Sequence, residues 1–135
     1  MTRVISSFQF SQRSQTAGAK EHEPQWVPNT DVYETDDGLV IKVELAGVRR
    51  EELDITVDGN SLRIAGQRAD ECRSSRRRFL VMEINYDAFE SVIDLPPGFD
   101  ISKARASYQN GFLRVDVPVA PSASSGAVSP PVTET

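Results

Sequence analysis

The stretch ARASYQNGFLRVDVP, residues 104–118, decides the fold. Ala104, Ala106 and Tyr108 alternate with Arg105 and Ser107, the period of two of a half-buried strand. Asn110-Gly111 breaks the alternation. An Asn-Gly pair between two alternating runs is a hairpin signal, because a primed two-residue turn needs positive φ at both central residues. Beyond it Leu113, Val115 and Val117 alternate with Arg114 and Asp116, and Pro118, which has no N–H to give a ladder, closes the strand. The stretch predicts an antiparallel hairpin with one apolar face.

The same chemistry recurs upstream. In LVIKVELAG, Leu39, Ile41, Val43 and Leu45 point one way and Val40, Lys42 and Glu44 the other, after a turn at Asp36-Asp37-Gly38. Leu53, Ile55 and Val57 alternate with Asp54, Thr56 and Asp58, Gly59-Asn60 turns the chain, and Leu62 and Ile64 follow. Phe89, Ser91, Ile93 and Leu95 form one face of a further strand, ended by Pro96-Pro97-Gly98. Val32 and Tyr33 sit in a short strand before them, and Arg49–Glu52 is a polar crossing loop. Short strands joined by Gly-rich turns predict an all-β fold, an immunoglobulin-like antiparallel β-sandwich.

One segment departs from this pattern. After the polar QRADECRSSRRR, the run FLVMEI (Phe79, Leu80, Val81, Met82, Glu83, Ile84) is apolar on both faces. A strand at a sandwich rim has one apolar face, so a two-faced run needs cover on both sides or invites aggregation. One solution is pairing with a second subunit.

The flanks read differently. Residues 1–25 have no sustained period; Val4, Ile5, Phe8 and Phe10 form their one apolar cluster, and the rest predicts a mobile arm. Residues 120–135, rich in Pro, Ser, Ala and Thr, predict a disordered extension. The domain is placed at residues 26–119.

Composition narrows the chemistry. The chain has 135 residues and a net charge of −5, which argues against general nucleic-acid binding, since phosphate neutralisation needs a basic face. Arg73, Arg76, Arg77 and Arg78 cluster in the loop and are read as a solvated run balancing local acids. A lone cysteine, Cys72, excludes an internal disulfide and a Cys-based zinc site and suits a reducing compartment. With no apolar run long enough for a signal peptide or a span, the expectation is a cytoplasmic protein. The single histidine, His22, falls in the arm and has no catalytic setting, and neither a phosphate-binding nor a dinucleotide-binding glycine motif occurs. The acids Asp36, Asp37 and Asp58 are turn residues rather than a cation site, and Glu51-Glu52 and Asp70-Glu71 stand in loops without a cleft. No catalytic residue, metal site or cofactor is expected.

Ala106, four further residues, and then Gly111-Phe112-Leu113 resemble the A-x-x-x-x-G-V-L signature of the small heat-shock proteins, with Phe112 where that family usually has Val. WVPNTDVYETDDG, ELAGV and IDLPPGFDISKA resemble the family's α-crystallin domain on either side, so the likeness covers about two-thirds of the chain. It implies an ATP-independent holding chaperone. Such a protein binds partly unfolded clients and hands them to ATP-driven chaperones. The resemblance to the bacterial and plant members implies a homodimer made by strand exchange. In it Phe79–Glu83, and so Phe79, Leu80, Val81 and Met82, would pair with the partner's Val32 and Tyr33. It also implies an apolar groove between the strands around Asp54–Val57 and Ala104–Tyr108, for which Ile55, Val57 and Tyr108 are the candidates. Many members fill that groove with an I-x-I triplet from the tail and so build larger homo-oligomers. Here the tail offers only Val128 and Val132, which puts tail-mediated assembly in doubt. The expected client contacts are Val4, Ile5, Phe8 and Phe10. A second reading, a co-chaperone-like sandwich docking on one specific partner, is opposed by the two-faced run. Membrane association, known in some members, is opposed by the acidic balance and the lack of a basic amphipathic helix.

Overall fold

The computed structural model describes residues 11–12, 23–70 and 76–121. The described residues form eight strands: β1 (Ser11–Gln12), β2 (Thr30–Thr35), β3 (Gly38–Glu44), β4 (Leu53–Asp58), β5 (Ser61–Arg68), β6 (Asp87–Asp94), β7 (Arg105–Gln109) and β8 (Phe112–Pro118). They form two four-stranded sheets, β1-β4-β5-β6 and β2-β3-β8-β7. All pairings are antiparallel except β1 with β4, which is parallel. The only helical pieces among the described residues are two 3-10 turns, Arg50–Glu52 and Ile101–Lys103.

The alternating residues face each other across the two sheets. Leu39, Ile41 and Val43 of β3, Leu113, Val115 and Val117 of β8, Ile55 of β4, Leu62 and Ile64 of β5 and Phe89 of β6 make one buried cluster. The opening hairpin forms as its sequence dictates. Asn110 and Gly111 have φ of 53° and 82°, and Tyr108 lies opposite Leu113. Gly111 has a second constraint, since a Cβ there would stand 2.9 Å from the Ala46 Cα. The signature thus names a turn tip pressed on the Ala46 backbone, flanked by two core residues, Ala106 and Leu113.

Two local expectations are corrected. Val40, assigned to the polar face of β3, is buried. It lies level with Tyr33 on one side and Asp116 on the other, and a central strand is flanked on its outward face too. Ser11–Gln12, placed in the mobile arm, forms a ladder with Thr56–Val57. Phe79–Glu83 forms no strand in the single chain.

Candidate functional site

β2 is an edge strand. It pairs with β3 from Thr30 to Thr35 and, among the described residues, with nothing on its other side. Its Val32 and Tyr33 are each more than two-fifths exposed. An open edge presents a row of unpaired N–H and C=O groups, a ready template for another strand. On the same molecule, Phe79, Leu80, Val81, Met82 and Ile84 are all solvent-exposed, Leu80 at 83 % and Val81 at 74 %. Five large apolar side chains in six residues form an apolar patch that water does not favour. The structure therefore holds an unpaired edge and an uncovered apolar segment, each with the property the other lacks.

The ends of that segment are held firmly. At the exit, Arg68 of β5 stacks its guanidinium over the Trp26 ring at 4.3 Å. The same group donates from Nε to the Asn85 carbonyl (2.8 Å) and from Nη1 to the Ala46 carbonyl (3.1 Å). A planar fork on an aromatic face serves several acceptors at once, which a lysine cannot do. Trp26 in turn donates from Nε1 to the Asp87 carbonyl (3.1 Å) and meets the Phe89 ring with centroids 5.1 Å apart. Gln25 N–H to the Ala88 carbonyl and Glu90 N–H to the Trp26 carbonyl lay residues 25–26 along the β6 edge. Asp87 has φ of 75°, so the chain turns through the left-handed region as it enters β6. At the entrance Arg77 pairs with Asp70 and lies over the Phe79 ring at 4.8 Å. A cleft of about 850 Å³ is lined by residues of both ends, among them Trp26, Arg68, Ile84 and Tyr86. None of the anchors at Arg68, Trp26 and Asp87 was expected as a functional residue. Arg68 is one of many arginines, and only its neighbours in space distinguish it.

The other expected residues fall as follows. Val4, Ile5, Phe8 and Phe10 lie outside the described residues. Ile55 is 2 % exposed and belongs to the core, whereas Val57 is partly buried at its margin. Tyr108 packs on the core and its hydroxyl lies 2.6 Å from the Leu45 carbonyl and 2.7 Å from the Val48 carbonyl. Burial pushes that hydroxyl above the ordinary phenol range, against the opposing pull of the Arg68 charge. On the outward face of the second sheet, Asp116 raises the Arg114 guanidinium further, through a contact of 3.0 Å. Among the described residues no group of three or more acids, cysteines or histidines is placed to hold a metal ion. No helix among them is long and apolar enough to cross a membrane.

Comparison with known proteins bears on the family and the fold. The profile of the Hsp20/alpha crystallin family matches residues 31–129. Small heat shock protein C2 of Rickettsia felis is 31% identical over 96 residues, 71% of this chain and 62% of that protein. The 17.6 kDa class I heat shock protein 3 of Arabidopsis thaliana is 35% identical over 92 residues, 67% of this chain and 59% of that protein. The chain thus spans about three-fifths of the length of these relatives. Among solved structures, hspA from Xanthomonas axonopodis superposes with a TM-score of 0.66 at 30% identity, over 72% of this chain and 97% of that one. A small heat-shock protein from Xylella fastidiosa, described as having a distinct high order structure, gives 0.67 at 27% identity over 82% and 97%.

Proposed function

Because this chain belongs to the Hsp20/alpha crystallin family, we propose that it is an ATP-independent holding chaperone working as a strand-exchanged homodimer. The observation that carries the reading is the pairing of opposites on one molecule: the open β2 edge and the uncovered apolar run Phe79–Ile84. In the dimer each copy lends that run to the partner's β2, so that Phe79, Leu80, Val81 and Met82 come against Val32 and Tyr33. The anchors at Arg68 and Trp26 keep the lent strand tied to its own domain. The dimer is the unit of a larger homo-oligomer.

Client capture follows from elementary physics. A partly unfolded protein exposes apolar surface, and Val4, Ile5, Phe8 and Phe10 of the arm cover it, with the Ile55, Val57 and Tyr108 strands as the second surface. Several arms on one assembly turn weak contacts into useful avidity. The net charge of −5 keeps the mixed complex soluble. Release falls to ATP-driven chaperones, and the work is placed in the cytoplasm.

The test is light scattering from a heat-labile client on warming, without ATP, with the full chain and with a variant carrying serine at Val4, Ile5, Phe8 and Phe10. The reading expects suppression at near-stoichiometric ratios by the full chain and loss of suppression in the variant. Equal suppression by both moves client binding to the domain surface. Suppression by neither supports the specific-partner module instead.

A further inference from the structure

The arginines that lead into the apolar run divide by side. Arg77 pairs with Asp70 of its own chain and lies over the Phe79 ring at 4.8 Å. Arg76 and Arg78 are exposed and have no ion-pair partner among the described residues. In an extended strand they project opposite Arg77, on the face of Leu80 and Met82. The open β2 edge carries a matching pattern of opposite sign. Val32 lies level with Ile41, Glu34 follows it on the same face, and Asp36 and Asp37 form the turn beyond. These three acids are exposed, and none has an ion-pair partner among the described residues. At the other end of β2 the one acid, Asp31, lies level with Lys42 of β3. We propose that charge orients the exchanged strand antiparallel on the β2 of a second copy, with Arg78 facing the partner's Glu34 and Arg76 facing the partner's Asp36. The inference deepens the strand-exchange reading and rests on it.

One antiparallel register satisfies the apolar and the charged contacts together. With Leu80 level with the partner's Val32, Phe79 falls level with the partner's Tyr33 and Arg78 level with the partner's Glu34. Arg76 then reaches the acidic turn, and Glu83 passes beyond the partner's Asp31 to lie level with the partner's Asn29. Val81 comes level with the partner's Asp31, whose charge Lys42 already flanks. A parallel run aligned on the same Leu80–Val32 pair does the opposite. It sets Glu83 level with Thr35, between Glu34 and Asp36, and leaves Arg76 and Arg78 level with Pro28 and Thr30. Like charges directly opposite destabilise a strand pair.

These contacts sit at an exposed rim, so salt screens them and their share of the affinity is modest. Their larger effect is on choice. A chain with an equally apolar run but no arginines before it gains nothing from the acidic turn, and one with acids there is repelled. The apolar run supplies the affinity of the exchange, and the arginines select the partner and the direction.

The experiment measures dimerisation of the full chain by fluorescence transfer between differently labelled subunits, for Arg78→Glu, for Glu34→Arg, and for an equimolar mixture of the two. Both positions are exposed, so the fold of the single chain is expected to survive. Each variant alone is expected to dimerise about tenfold more weakly or worse, because both strands of its dimer meet a like charge. In the mixture both strands meet an opposite charge, and a heterodimer with an affinity within about threefold of wild type is expected. Raising salt from about 0.05 to 0.5 M is expected to weaken the wild-type dimer and strengthen the single variants. Variants that dimerise like wild type overturn the proposal and leave strand exchange standing. Rescue only when both substitutions sit in one chain, and not in the mixture, overturns it in favour of a contact within one copy. Rescue of Arg78→Glu by Asp31→Arg subunits in place of Glu34→Arg overturns the antiparallel orientation. A wild-type chain that does not dimerise overturns the strand-exchange reading and this inference with it.

Discussion

Val81→Asp separates the proposed dimer from the fold of the single chain. Val81 is 74 % exposed and belongs to no strand of its own sandwich. In the isolated chain the substitution exchanges one solvated side chain for another, and such surface changes stay within about 0.5 kcal/mol. In a strand-exchanged dimer the same position is covered. Fully burying a valine contributes about 1.5–3 kcal/mol, of which roughly three-quarters is still unrealised here, or about 1–2 kcal/mol. A carboxylate in the same place adds at least the polar-burial cost of about 1–3 kcal/mol that a neutral hydroxyl or amide carries. Each strand therefore loses roughly 3 kcal/mol, and two-fold symmetry doubles it to about 6 kcal/mol. That weakens dimerisation by about four powers of ten. Sedimentation equilibrium over a dilution series, or fluorescence transfer between differently labelled subunits, measures the dissociation constant, while urea unfolding at low concentration follows the monomer. A dissociation constant within tenfold of wild type refutes the strand-exchange reasoning, and a monomer destabilised by several kcal/mol shows that Val81 has a role inside its own domain.

Three further outcomes follow. Gly66→Ala puts a Cβ 2.2 Å from the Glu52 carbonyl oxygen and 2.8 Å from the Phe89 ring. Overpacking against backbone costs about 1–3 kcal/mol, visible as a lower urea midpoint at unchanged slope, and an unchanged midpoint contradicts the close approach. Tyr108→Phe removes the hydroxyl shared by the Leu45 and Val48 carbonyls and costs about 1–2 kcal/mol. Since burial raises the folded pKa of Tyr108 above 10.0, its contribution is present below that pH and is lost as pH rises through the folded value. Unfolding free energy of the wild type falls above pH 10 accordingly, the phenylalanine variant flattens that decline, and parallel curves exclude Tyr108 as its source. Arg68→Lys keeps the charge but not the fork that serves Asn85 and Ala46. Faster amide exchange at residues 85–87 with unchanged exchange in β3 is expected, and equal rates at all of these sites mean that the clamp does not hold the segment.

How far these features were legible in the sequence depends on the range of the interaction behind them. The β7–β8 hairpin was legible because Asn110-Gly111 carries its own backbone requirement and the alternation on either side is local. The run Phe79–Ile84 was legible as an anomaly, since two apolar faces in a chain of one-faced strands signal a missing partner. Val40 was misread because strand period reports the inward face and is silent about what flanks the outward one. The β1–β4 ladder was not legible: a parallel pair of residues 45 positions apart leaves no local trace. Nor was the Arg68 clamp, whose partners Ala46, Asn85 and Trp26 come from three separate stretches.

The two sheets also differ in when they can be completed during synthesis. β4, β5 and β6 follow one another in sequence and pair with their immediate neighbours. In the other sheet, β3 waits for β8, and Leu39 must find Val117. Long-range pairing is slow, because loop closure precedes its reward, and a nascent chain grows at about 5–20 residues per second. For several seconds the emerging protein therefore carries half a sandwich, with the apolar face of β3 bare. During its own birth the molecule is, for that interval, the kind of half-made chain that other proteins become under heat.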